Sequence, residues 1–341
     1  MSIPKAYLKN KPINAESVGK TKHLLYTPFT GLGLYNGYRG DRWLKNRIKI
    51  CKQFVIPSLQ AQTCQDFTWW ISWRPEERYN RIVRNFMDYL RGTGLDVIHT
   101  FSGVCFYDDK YPTEVAKERL ISAIHGAMIE LVNATEGDVG YEWVLMTIQP
   151  SDDCYHRNAI EGIQASFKEL PELQAMGFSR GYIMNYQTKE LADYNPKTNP
   201  PFYTLKFPRP TFINPPQHVN YTALKHDVVG HKKGTPLPSH EWVGYCLKYG
   251  IINERGFLVG CHGENISTHF NHPYKGDGED LKILEDFGLD KIPPLKLPFS
   301  VRRLILKKLP YAIQRKLRYW AGEKNWILRP IFSIIYNGLR R

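Results

Sequence analysis

The sequence predicts an α/β fold, a mixed sheet flanked by helices and followed by a basic amphipathic helical tail. Three observations predict it. Apolar runs rich in aromatic and β-branched residues alternate with helix-period segments from His23 to Phe101, the strand-helix-strand-helix-strand order of a parallel sheet. A further apolar run, Trp143 to Ile148, is brought to an end by Gln149 and Pro150, as expected of a buried strand that delivers a loop to the sheet edge. From Val301 to Arg341 there are eleven Lys or Arg against the single acid Glu323, which is +10 of the chain's +13.

In chain order, a polar lead-in (1–22) precedes a first strand at His23–Tyr26. The Gly-rich loop after it has the wrong spacing for a dinucleotide fingerprint, and no helix follows it directly. Trp43–Leu59 reads as a helix, with apolar residues at Ile48, Cys51, Val55 and Leu59 and with Pro57 near its end. Asp66–Trp73 is a strand, Glu77–Leu90 a helix, Gly92–Gly94 a turn, and Leu95–Phe101 a third strand. A helix over Thr113–Val132 leads to the central strand, and another is expected to start near Tyr155. Between Gly177 and Gly234 prolines cluster among short aromatic runs such as Gly181–Tyr186 and Pro201–Phe207, which fits short antiparallel strands in a substrate-facing extension. A helix then opens at Pro238–Leu247, a strand runs through Gly256–Thr268, and Asp280–Asp286 offers a short acidic helix. Prolines at 293, 294 and 298 mark a linker to the tail.

A chain of 341 residues, 42% hydrophobic and 13% aromatic, can bury a full core and is not of disordered composition. A pI of about 9.3 raises nucleic-acid binding, but the charge is confined to the tail and no RNP, helix-turn-helix or finger motif is present, so no nucleic-acid partner is expected. The six cysteines show no CxxC pair and no finger spacing, so a structural zinc is not expected and a reducing compartment is. Residues 1–22 lack an apolar core of signal-peptide length, and no run approaches a membrane span. A cytoplasmic location is expected. The two pieces of the tail, divided at Pro310, place Val301, Leu304, Ile305 and Leu309, and then Ile313, Leu317 and Trp320, on single faces. Such a helix either lies on an anionic membrane surface or packs on the protein with its basic face in water.

Asp152 and Asp153 follow the central strand, where ligands of α/β sheets sit. Adjacent carboxylates repel. Either a divalent cation relieves them, with Mg²⁺ or Mn²⁺ sharing its shell between carboxylate and phosphate oxygens, or one of them caps the next helix.

These residues suggest a family. Pro57–Trp70, PSLQAQTCQDFTWW, resembles the PSL-x-x-Q-T-x-x-x-F segment of family-2-like glycosyltransferases with the GT-A fold, a Rossmann-like mixed sheet. QPSDD (149–153) and HGEN (262–265) resemble the aspartate-bearing strand and the later His-Gly-x-Asn of the putative rhamnosyltransferase group. The resemblance covers about His23–Thr268 and not the tail. It implies a domain over 23–290, with a nucleotide-sugar half (23–156) and an acceptor half (157–290), and the basic tail at 291–341. It also implies that Asp153 with Asp152 forms a DxD-like element holding Mn²⁺ or Mg²⁺ on the donor diphosphate. Ser151 stands where a strict DxD has its first aspartate. His262 then closes the metal shell, or is a structural histidine. Arg39, Asp41 and Arg42, in the loop after the first strand, are implied contacts to donor nucleotide or phosphate, and Arg119 either joins them or pairs at the surface.

Transfer of a sugar requires stabilising the departing diphosphate and deprotonating the acceptor hydroxyl. Asp153 with the metal is expected to serve the first. Glu241 is the expected base, although Glu in a first helical turn is also favoured by the helix dipole alone. The reading is a metal-dependent glycosyltransferase, of hexosyltransferase type, that acts on a polysaccharide or glycolipid acceptor and is peripheral at the inner face of the membrane. Two others remain open: a nucleotidyltransferase-type metal enzyme, and a basic nucleic-acid-binding protein without catalysis.

Overall fold

The computed structural model describes residues 20–31, 40–101, 126–135, 140–196, 202–210, 247–262, 265, 270 and 279–297. The chain divides into two units, residues 1–262 with 268–295, and residues 263–267 with 296–341. The tail helices lie outside the described residues, as does the helix expected at Pro238–Leu247 apart from Leu247.

The parallel half of the first unit is built as the alternation of runs predicts. Strands β1 (Thr21–Pro28), β2 (Thr68–Ser72), β3 (Val97–Thr100) and β4 (Trp143–Ile148) lie side by side in the order β3-β2-β1-β4, all parallel. Period-two alternation then sends neighbouring side chains to opposite faces. On β1, Leu25 packs with Trp69, Ile71 and Trp73 under the helices that follow β1 and β2. Leu24 and Tyr26 pack on the other face with Trp70, Val144, Met146 and Leu131. Fully burying side chains of this size is worth about 1.5–3 kcal/mol each, so the aromatic run TWWIS, buried at every position, anchors the sheet.

The helix expected at Trp43–Leu59 is one helical run in three parts: α1 (Asp41–Ile50), a π turn (Cys51–Val55) and α2 (Ile56–Gln60). Pro57 has no N–H to give to a carbonyl four residues back, and its ring crowds that carbonyl. The wider turn ahead of it, closed by Ile56 N–H on Cys51 O, is the local adjustment. The helix expected at Glu77–Leu90 comes in two pieces, a 3₁₀ turn (Pro75–Tyr79) and α3 (Arg81–Arg91). Asn80 separates them, its side chain accepting from Ile82 N–H at 2.8 Å in place of a continuing helix. Of the helix expected over Thr113–Val132 only its end is described, helical over 126–134 (α4).

The second half corrects two expectations. No helix starts at Tyr155. Cys154–Tyr155 is instead a short strand, β5, paired with Phe257–Leu258, and α5 begins at Ala159 (Ala159–Glu169). The aspartates are therefore not its cap, since Asn158 holds that position. Beyond Leu170 the strands are not all short and antiparallel. β6 (Ala175–Asn185) and β9 (Tyr249–Cys261) are the longest described, and they pair in parallel. β7 (Leu191–Tyr194) and β8 (Tyr203–Pro208) are antiparallel to β6, and β8 also to β4, so the order continues β4-β8-β6-β9-β5. The ladder between β6 and β9 shifts between Phe178 and Tyr182, beside Gly181, where a Cβ would lie 2.2 Å from Phe257 O. α6 (Glu279–Asp286) is the expected acidic helix. No helix among the described residues is long and apolar enough to cross a membrane.

Candidate active site

Gln149 N–H still bonds Tyr26 O at 2.8 Å, so the chain leaves β4 at the carboxyl edge of the parallel strands with Asp152 and Asp153 in the turn that follows. That turn is tied down on several sides. Tyr155 Oη donates to Ile148 O (2.6 Å), Gln149 Nε2 to Asp153 O (2.9 Å) and Tyr186 Oη to Asp152 O (2.9 Å). Gly260, near the end of β9, donates its N–H to Asp153 Oδ1 at 2.8 Å. Any side chain at 260 would be displaced, because a Cβ there would lie 2.3 Å from Asp152 O and 2.4 Å from the Tyr186 ring.

The PSLQAQ segment acts on the same turn from below. Ser58 Oγ donates to Tyr155 O (2.8 Å). Gln62 Nε2 reaches Ser58 O and His156 O (3.1 and 3.0 Å), while its Oε1 accepts from Ile160 N–H (3.2 Å). Thr63 N–H bonds Arg157 O at 2.8 Å. These polar groups satisfy the backbone at the two buried ends of the connection between β5 and α5, at Tyr155 and Ile160, and along its half-buried residues 156–157, which would otherwise leave orphaned donors and acceptors. Gln62→Ala is therefore expected to cost about 2–3 kcal/mol, read as a lower denaturant midpoint at unchanged m-value.

Three charged or ionisable side chains meet at the turn. Asp152 Oδ2 is paired with the Arg47 guanidinium of α1 and lies 2.9 Å from His262 Nε2, just past β9. The side chains are 16% (Asp152), 7% (Arg47) and 0% (His262) exposed, so solvent screens the cluster little. Burial alone would raise the Asp152 carboxyl, but the Arg47 guanidinium and the His262 imidazole outweigh it and hold that group well below the usual carboxylate range. Arg47 also faces the Trp43 ring at 5.3 Å from its centroid.

Asp153 does not join them. Its carboxyl turns to Gly260, and burial, followed by the neighbouring Asp152 charge, pushes it upward. Among the described residues no three His, Cys, Asp or Glu side chains are grouped to hold a metal ion. The expected set of Asp153, Asp152 and His262 is thus assembled as a pair. The 2.9 Å separation of Asp152 and His262 is that of a hydrogen bond; by donor type, one carboxylate oxygen and one imidazole nitrogen, the pair fits Mn²⁺ or Mg²⁺ only with further oxygens from a phosphate or water.

A second buried acid stands at the ends of β1 and β2. Glu77 is 4% exposed, accepts from the Thr30 hydroxyl on Oε2, and has no hydrogen-bond partner on Oε1 among the described residues, although the Arg74 backbone and charge act on the carboxyl. Burial raises its carboxyl above the ordinary value. A raised native value means that the native state holds the proton more tightly. The cost of the charge is then absent below the unfolded-state range and grows as pH rises through the native value. Glu77→Gln is expected to raise the thermal midpoint at neutral pH by roughly a few degrees and to leave it unchanged in acid.

Of the remaining expected site residues, Asp41 and Arg42 are not in a loop but in the first turn of α1, both exposed. Gly40, at φ 88°, precedes them, a left-handed conformation open to glycine. Arg39, Arg119 and Glu241 lie outside the described residues. Sequence reasoning missed Arg47 and Glu77, and gave no role to Ser58 and Gln62 although both are fixed positions of the PSL-x-x-Q-T segment. A signal for Arg47 existed: it lies one turn before Cys51, on the face otherwise formed by Leu44, Ile48, Cys51 and Val55, where an unpaired charge is not tolerated. The four described cysteines, Cys51, Cys64, Cys154 and Cys261, are free thiols.

No family model and no curated protein matches the chain. Among solved structures, S. aureus TarS is similar at 10% sequence identity over 88% of this chain and 47% of that one, with a TM-score of 0.36. TarS 1-349 from the same organism is similar at 10% identity over 87% of this chain and 78% of that one, with a TM-score of 0.34. The chain spans about half the length of the first of these. A superposition this loose says nothing of activity.

Proposed function

We propose that this chain is a glycosyltransferase that moves a sugar from a nucleotide-diphosphate donor to a polysaccharide or glycolipid acceptor. One observation carries the reading. The two motifs that resemble the glycosyltransferase pattern, QPSDD and HGEN, are 110 residues apart in sequence, yet Asp152 and His262 meet at 2.9 Å at the carboxyl edge of β4. Asp152 Oδ2 and His262 Nε2 would hold Mn²⁺ or Mg²⁺, which when bound supplies Lewis-acid stabilisation of the departing diphosphate. Asp153 positions the turn through Gly260. Arg39, Asp41, Arg42 and Arg119 are the proposed donor contacts. Glu241 is the proposed base, taking the acceptor hydroxyl proton as the new glycosidic bond forms and the bond to the diphosphate breaks. The basic tail is proposed to hold the protein peripherally at the inner, anionic face of a membrane. Rhamnose is the sugar that the sequence resemblance suggests.

The test is the identity of the released product. Full-length protein incubated with UDP-, dTDP- and GDP-sugars, Mn²⁺ and lipid-linked or glycan acceptors is expected to release nucleoside diphosphate. Release of pyrophosphate in a reaction supplied with nucleoside triphosphate and sugar phosphate, with no nucleoside diphosphate from any sugar donor, would instead support nucleotidyl transfer and overturn the proposal.

A further inference from the structure

Arg47 occupies the very oxygen that the proposed metal needs. Its guanidinium is on Asp152 Oδ2, the same atom that faces His262 Nε2. The arginine is buried to 7% side-chain exposure and comes from α1, an element that contributes no other group to the acid turn among the contacts described. A buried guanidinium and a divalent cation sharing one carboxylate oxygen repel each other strongly at low effective dielectric. The conflict disappears only when further negative charge arrives. A diphosphate supplies it, and guanidinium forks match phosphate oxygens as well as carboxylates.

We infer that Arg47 is the resident counter-ion of this site, which makes metal binding and diphosphate binding depend on each other. Without ligand, Arg47 neutralises Asp152 and keeps a lone divalent ion out. With a nucleoside diphosphate present, the guanidinium moves from Asp152 to the phosphate oxygens and frees Oδ2 for the ion. One ionic contact passes from carboxylate to phosphate, and one covalent bond changes. The ionised Asp152 Oδ2 only accepts, so His262 Nε2 carries the proton between them, and that proton moves by way of solvent to Nδ1 before Nε2 can hold the ion. A free protein bearing a bare acidic pair would accumulate metal whether or not donor is present; this arrangement charges the site only when donor is there. The inference rests on the glycosyltransferase reading insofar as that reading supplies a diphosphate and a metal.

The test is titration of Mn²⁺ into full-length protein, followed by the electron paramagnetic resonance of the free ion, with and without UDP, dTDP or GDP. In wild type, Mn²⁺ alone is expected to bind weakly, and the right diphosphate to tighten it by about tenfold or more, within the ordinary range of coupling between sites. In Arg47→Gln, Mn²⁺ alone is expected to bind about tenfold tighter than in wild type, with the coupling to diphosphate reduced to about threefold or less. Arg47→Lys retains the charge and is expected to keep most of the coupling, which supplies the readout if the glutamine variant does not fold. Equal Mn²⁺ affinity and equal coupling in wild type and Arg47→Gln, or in Arg47→Lys a loss of coupling with Mn²⁺ still excluded, would overturn the inference while leaving the metal–diphosphate site standing. Absence of diphosphate-dependent Mn²⁺ binding in wild type and variants alike would overturn the inference together with the glycosyltransferase reading.

Discussion

Asp152→Ala is expected to lower the free energy of unfolding by about 3–5 kcal/mol, the cost of leaving one member of a buried ion pair without its partner. The argument is local. Arg47 is held on a helix face among Leu44, Ile48 and Cys51, its side chain 7% exposed and its guanidinium on Asp152, so without that carboxylate the charge is left largely out of water with no counter-ion. His262 loses its contact with Asp152 at the same time. Chemical denaturation of the single variants and of the double variant Arg47→Met/Asp152→Leu separates pair from packing. The double variant should be destabilised by less than the sum of the singles, with a coupling of about 1–3 kcal/mol, because apolar groups of similar volume replace both charges. Additive losses would mean that the two side chains do not form the pair described.

Acid should unfold this protein through a residue that takes no part in the proposed chemistry. His23 lies on β1 between β4 and α5, fully buried, with Nε2 on Thr147 Oγ1 at 2.7 Å and Nδ1 near Gln164 Nε2 at 3.3 Å. Burial lowers its value from 6.5 to about 3. The sign follows from linkage. The unfolded chain takes up a proton on this ring as pH falls below 6.5, and the folded chain does not until about 3. The stability contribution is therefore complete above pH 6.5 and is lost as pH falls from there toward the folded value. At 1.36 kcal/mol per unit, the loss is on the order of 5 kcal/mol by pH 3. Denaturant midpoints measured from pH 7 to 4 should fall steeply in wild type and more gently in His23→Gln, whatever the variant's absolute stability. Parallel slopes would mean that the ring is protonated in the folded state.

How much of this was legible beforehand depends on what each residue answers to. The parallel strands were, because TWWIS and WVLMTI are short apolar runs with aromatic and β-branched residues, too short for core helices and bounded by turn residues, and the acidic turn was placed by the Gln149-Pro150 stop. The strand at Cys154–Tyr155 was not, since two residues carry no period. It exists because Phe257 and Leu258 pair with it and Ser58 and Gln62 bind the backbone beside it, partners about 100 residues away in each direction. The split of the helix at Asn80 depended on one side-chain hydrogen bond outweighing a helical pattern. The parallel pairing of β6 with β9 is a long-range property that local patterning cannot specify. At the site, Asp152 and His262 were legible through motif resemblance. Asp153 was expected as the principal ligand, and the difference turns on a backbone N–H at Gly260 that no motif displays. Arg47 was concealed inside an apolar helix face, where the count of hydrophobic positions hides the one charge among them.

The account turns on whether Asp152 and His262 form a metal-dependent nucleoside-diphosphate site. The most direct measurement is calorimetric titration of UDP, dTDP and GDP, with and without Mn²⁺, into wild type and His262→Gln. One of the three nucleotides should bind wild type in a Mn²⁺-dependent manner, and His262→Gln should weaken that binding by about ten- to a hundredfold. Failure of all three to bind, or equal metal-dependent binding by His262→Gln, would contradict it and leave the buried cluster of Arg47, Asp152 and His262 as an internal brace of the fold.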